Sequence, residues 1–171
     1  SAPLGHVTVG LGVHQDEALR VRQILSHLGV KFWQRGPRKR PTKSVHFGLS
    51  GEYGRYLRSL WPPPRPPLSR ERYIPESLLK SSAEELTALL AGIIDGDGCF
   101  DKHRSRIRIR THSRKLAEQL IWVLSILGIQ GRLKVSPPRA ISGKHCNPSY
   151  CVSVLGEGYA QLLTFLRPYL R

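Results

Sequence analysis

The chain has 171 residues, with 27 Lys and Arg against 12 Asp and Glu and a formal net charge of +15. That length holds one compact domain or two small halves around a shared core. The excess of positive charge points to a polyanionic partner, nucleic acid first, and no basic amphipathic helix argues for a membrane surface instead.

No apolar run reaches the length of a membrane span and no signal peptide opens the chain, which therefore reads as soluble and intracellular. The 3 cysteines, Cys99, Cys146 and Cys151, do not form a disulfide framework. His145, Cys146 and Cys151 lie close together but lack a CxxC pair or a spaced His pair, so zinc is not expected. The absence of Met and the start at Ser1 suggest a piece of a longer protein.

In chain order, residues 6–13 alternate Val7, Val9, Leu11 and Val13 with His6, Thr8, Gly10 and Gly12, the pattern of a strand. An amphipathic helix over residues 16–28 follows and ends in Leu28-Gly29-Val30, with Gly29 as a C-cap signal. Residues 31–35 and 44–49 then form a hairpin around a basic loop. The run from Arg35 to Arg40 reads either as that phosphate-contacting loop or as a nuclear localisation patch. A helix over residues 52–60 closes this unit, and Trp61-Pro-Pro-Pro-Arg-Pro-Pro67 is a stiff linker.

A long apolar helix starts near Ser82, where Ser81/Glu84 and Ser82/Glu85 both fit a capping box. Its stripe is Leu86, Leu89, Leu90, Ile93 and Ile94, and its end is Asp95-Gly96-Asp97-Gly98. Carboxylates at a helix C-terminus oppose the macrodipole, whereas a cation bound there is favoured. Ala88 and Gly92 leave one flank bare enough for another backbone to pack closely. Two readings stand on the residues: a helix delivering Asp97, and with it Asp95, to a metal, or a core helix ending in an Asp-Gly turn.

Beyond it the earlier order repeats: a strand over residues 104–111, a helix over 113–127 ending in Leu127-Gly128-Ile129, a hairpin over 132–135 and 149–155, and a helix over 157–170. Arg104, Arg106, Arg108 and Arg110 fall on one face of the strand, opposite Ile107 and Ile109. Four like charges in a row suit a polyanion better than an ordinary solvated face, which mixes signs. Arg132 and Lys134 extend the row on the neighbouring strand, and Lys144 and His145 lie in the hairpin loop. The first half offers His6, Thr8, Lys31 and Trp33, with Arg38, Lys39, Arg40 and Lys43 in its loop. A twisted ribbon bearing such side chains fits the DNA major groove, by base or by phosphate contact.

The stretch from Leu90 to Gly98 resembles the signature motif of the LAGLIDADG homing endonucleases, with Ile for Leu at one position and Gly for Ala at another. The resemblance implies an α+β fold of two pseudo-symmetric half-repeats whose antiparallel strands form a DNA-binding saddle. It implies two signature helices packed through residues such as Ala88 and Gly92, each giving its last acid to a divalent metal at the scissile phosphate. That acid is Asp97, Mg²⁺ is the expected metal, and Asp95 takes a structural role. Only one such helix is present, so the resemblance places the other just upstream of Ser1, within a larger host protein. The divisions expected are 1–60, a half-repeat without its helix; 61–80, the linker; and 81–171, the complete half-repeat.

Arg72-Tyr73-Ile74-Pro75 resembles the Lys-x-Ile-Pro element of intein-embedded endonucleases, whose lysine helps polarise the attacking water. Arg72 keeps the charge but cannot lose a proton. A linker arginine before an Ile-Pro turn is the plainer alternative. The matching element of the second half would fall beyond Arg171. The expected activity is therefore site-specific hydrolysis of duplex DNA, with little cleavage from this segment alone. A catalytically inactive relative, a transcription regulator or an RNA maturase, is the alternative.

Overall fold

The computed structural model describes residues 7–12, 15–35, 44–49, 51–60, 68–141 and 144–169. The chain divides into two compact units, Ser1–Pro66 and Pro67–Arg171.

In the first unit, β1 (Val7–Gly12), β2 (Phe32–Arg35) and β3 (Ser44–Leu49) form an antiparallel sheet in the order β1-β3-β2. Helix α1 (Gln15–His27) separates β1 from β2, and α2 (Gly51–Leu60) follows β3. Alternation decides the faces. Phe47 and Leu49 are buried with Ala18 and Leu25 of α1, and the Phe32 and Phe47 rings sit 5.9 Å apart at a tilt. Gly48 and its partner Trp33 fall on the opposite face.

The second unit begins with a segment that the sequence assigns to the linker. Ile74 is 4% exposed within this unit's core, and Pro75 leads into the single turn α3 (Glu76–Leu79). Helix α4 (Ala83–Asp97) then starts at a capping box that selects Ser82 and Glu85. The Ser82 hydroxyl accepts from the Glu85 N–H at 3.2 Å, and the Glu85 carboxylate accepts from the Ser82 N–H at 2.8 Å. Leu86, Leu90, Ala91 and Ile94 recur along one face, and all are buried.

Past α4 the chain enters β4 (Gly98–Asp101) with no intervening loop, turns through Lys102–Arg104, and returns as β5 (Arg106–Thr111). This corrects the single strand expected over residues 104–111. Arg104 lies in the turn, because the Asp101 carboxylate accepts its N–H at 3.2 Å and Ser105 adopts a left-handed φ of 44°. Helix α5 (Arg114–Ile126), capped by Ser113, follows. Next come β6 (Gly131–Ser136), β9 (Ser149–Leu155) and, between them, a small hairpin of β7 (Arg139–Ile141) and β8 (Lys144–Cys146) not anticipated from sequence. Helix α6 (Glu157–Leu166) stops short of residue 170, since Pro168 has no N–H to continue the ladder.

The four long strands form an antiparallel sheet in the order β4-β5-β9-β6. Ile107, Ile109, Val152 and Val154 face a core shared with Leu90 and Ile94 of α4, Leu120 and Leu124 of α5, and Leu162 and Leu166 of α6. One face of the sheet is thus covered by helices, and the other carries the polar side chains.

Candidate reaction centre and nucleic-acid interface

The last residue of α4 places Asp97 at the surface, with its side chain 63% exposed. Arg72, from the segment ahead of α3, puts its Nη1 3.5 Å from the Asp97 Oδ2. The two residues assigned to chemistry from sequence are therefore neighbours in space, although an entire helix separates them in the chain. Asp95 is exposed on the same last turn. Among the described residues, no group of three or more His, Cys, Asp or Glu side chains converges. The zinc question stays outside the described side chains, since those of His145 and Cys146 are not among them.

The glycines around Asp97 differ in what they allow. A Cβ at Gly98 would lie 2.3 Å from the Ile94 carbonyl oxygen, whereas one at Gly92 or Gly96 meets nothing within 4 Å. Gly98 lets the backbone turn from helix into strand against the end of α4, and its N–H closes the helix on Ile94. Gly98→Ala is expected to destabilise the fold by about 1–3 kcal/mol, and Gly96→Ala to be neutral or slightly stabilising. Thermal unfolding of the two variants checks the contrast. Ala88 and Gly92 are both exposed on α4.

On the uncovered face of the second sheet, strand register sets the rows. Arg108 pairs with Ser153, which pairs with Arg132; Arg110 pairs with Cys151, which pairs with Lys134. Four cations thus sit in two rows across three strands, spaced by small side chains. Arg110, Arg132 and Lys134 are exposed, Arg108 is half-buried with its Nη2 3.8 Å from the Cys99 sulfur, and the described thiols are free.

Arg106 departs from the row expected of it. Its Nη2 lies 2.9 Å from Asp101 Oδ2, and both side chains are 20% exposed. The hydrogen bond from Arg106 holds the Asp101 carboxyl below the usual carboxylate range, against the cost of desolvation and with help from the Arg104 N–H. The pair is therefore present at neutral pH and is lost only as pH falls through that lowered pKa. Asp101 was not legible as a partner in sequence, because the strand expected there began at residue 104 and left Asp101 outside it. The exposed cations at this hairpin tip are Lys102 and Arg104.

In the first unit, Lys31 is exposed just ahead of β2, and the Trp33 indole lies over Gly48, where a Cβ would come within 2.0 Å of the ring. Arg38, Lys39, Arg40, Lys43 and His6 lie outside the described residues, as does the basic run as a localisation patch, and Lys144 is described only by its place in β8.

Residues 84–164 match the family model described as a LAGLIDADG-like domain. Among solved structures, mesophilic variants of the homing endonuclease I-DmoI superpose with a TM-score of 0.62 at 15% identity, covering 94% of this chain and 79% of that one. I-DmoI in complex with DNA and Mn gives 0.62 at 15%, over 94% and 80%. Full-length DUF199/WhiA from Thermatoga maritima gives 0.54 at 9%, over 99% of this chain and 49% of that one. Residues 84–164 are thus similar to a LAGLIDADG-like domain, and the chain shares the mixed α/β fold of the homing endonuclease I-DmoI.

Proposed function

We propose that the chain is a site-specific, divalent-metal-dependent DNA endonuclease domain of the homing type. The observation that carries this reading is the convergence of Asp97 and Arg72 at the exposed end of α4. The relatives solved with DNA and with Mn or Ca support a nucleic-acid substrate and a divalent cation.

The donor set fits such a cation. Mg²⁺ takes one or two carboxylates and fills its remaining positions with water and substrate phosphate oxygens. Asp97 is one such exposed carboxylate. When bound, the cation would activate water and neutralise charge at the scissile phosphate. Arg72 donates hydrogen bonds to a phosphate oxygen and offsets its charge; permanently protonated, it is not a base. Arg108, Arg110, Arg132 and Lys134 hold the duplex against the sheet, with Arg106, whose charge is shared with Asp101, at their edge. Arg104 and Lys144 extend the grip to the backbone, and in the first unit Lys31 and the loop cations Arg38, Lys39, Arg40 and Lys43 are further candidate phosphate contacts.

The bare flank at Ala88 and Gly92 fits a second acid-ended helix, giving a monomeric pseudo-dimer within a larger protein. The Arg-Tyr-Ile-Pro element supports an intein as that host. One observation favours the inactive alternative, a nucleic-acid-binding module: Arg72 places the chain's own cation beside the carboxylate that would hold a metal.

Incubating the chain, fused to a second acid-ended helix, with a randomised duplex library in Mg²⁺ and sequencing the new ends separates the two. An endonuclease yields ends at one long site, abolished by EDTA. Duplex binding without any cleavage identifies the binding module, and loss of both refutes the nucleic-acid reading.

A further inference from the structure

Helix α5 grips the Arg72 segment through side chains that the proposed chemistry does not use. The Gln119 amide accepts from the Ile74 N–H at 2.7 Å and donates to the Ile74 carbonyl at 2.9 Å. One side chain thereby satisfies both backbone groups of a residue that belongs to no helix or strand, as a neighbouring strand would. Ser113, 1% exposed, accepts from the Leu116 N–H at 3.1 Å as the cap of α5 and donates its own proton to the Arg72 carbonyl. The Lys115 ammonium lies 4.6 Å from the centre of the Tyr73 ring, and Ile74 is buried beneath.

Arg72 itself has an exposed side chain, and an exposed ion pair is too weak to order a loop by itself. The order must come from the backbone, fixed at Arg72 by Ser113 and at Ile74 by Gln119. We infer that Gln119 and Ser113 are positioning residues that hold the Arg72 guanidinium at the Asp97 carboxylate. They act as residues behind a metal ligand do, by removing freedom from a group that would otherwise sample many rotamers. The inference rests on reading Arg72 and Asp97 as one reaction centre.

The test follows the Arg72 Nε–Hε resonance in the full chain labelled with ¹⁵N-arginine, assigned by its loss in Arg72→Lys. Asp97→Asn should shift this resonance and speed its exchange with solvent. Gln119→Leu should reproduce that shift with core methyl resonances unchanged, and combining the two substitutions should add nothing. A folded Gln119→Leu protein with an unmoved Arg72 resonance overturns the positioning role while leaving the reaction centre intact. An unmoved resonance in Asp97→Asn overturns the paired centre itself, and the inference with it. If Gln119→Leu does not fold, Gln119→Glu replaces it, keeping the acceptor for the Ile74 N–H and losing the donor. An intermediate shift is then expected, and none overturns the inference.

Discussion

Asp97→Asn, in the chain fused to a second acid-ended helix, is expected to lower Mg²⁺-dependent cleavage of duplex DNA by about 10³-fold or more, while duplex affinity stays within about twofold. The carboxylate is an exposed hard oxygen donor 3.5 Å from Arg72 on the last turn of α4, and asparagine keeps its shape while removing its charge. Losing a ligand removes the cation's stabilisation of the developing phosphate charge, a term of several kcal/mol, and each ~1.4 kcal/mol is a factor of ten in rate. On the proposed reading affinity is carried elsewhere, by the cations of the sheet face, and one acid fewer near a phosphate does not weaken it. Strand cleavage and fluorescence anisotropy on the same duplex measure both quantities. Unchanged cleavage in the variant would remove Asp97 from the chemistry.

The second large effect is structural. Leu90 is 1% exposed on α4 and belongs to the core formed with β5, β9, α5 and α6. Leu90→Ala removes buried methyl groups and leaves a cavity that a helix clamped between a capping box and Gly98 cannot easily collapse. A loss of about 2–5 kcal/mol is expected, a fall in Tm on the order of 10 °C or more. Ala88→Ser, at an exposed position of the same helix, should stay within about 0.5 kcal/mol. Urea unfolding of both variants checks the pair. The comparison also bears on function, because the helix that Leu90 anchors is the one that carries Asp97.

Local physics made much of this legible in sequence. Ser82 and Glu85 announce the start of α4, its stripe announces the buried face, and alternation in Ile107, Arg108, Ile109 and Arg110 announces a strand covered on one side only. What stayed hidden depends on non-local partners. The Asp-Gly pairs over residues 95–98 read as a helix end or turn and not as the start of a strand, so β4 went unmarked and Asp101 could not be paired with Arg106. The Arg-Tyr-Ile-Pro segment looked like linker because its anchor, Gln119, lies on the far side of α4 in the chain. Convergence of Arg72 on Asp97 came from the resemblance rather than from any periodicity, since no local pattern relates residues on opposite sides of a helix.

The central claim is that the uncovered sheet face, with Arg108 and Arg110 aligned to Arg132 and Lys134, grips a nucleic-acid backbone. Duplex affinity of the chain as a function of salt tests it most directly. With six or more phosphate contacts, affinity should fall by roughly 10³ or more between about 50 and 200 mM salt, linearly on logarithmic axes. Substituting Arg132 and Lys134 together by alanine should reduce the slope by about two. An affinity that does not change with salt, or a slope untouched by those substitutions, would contradict the account.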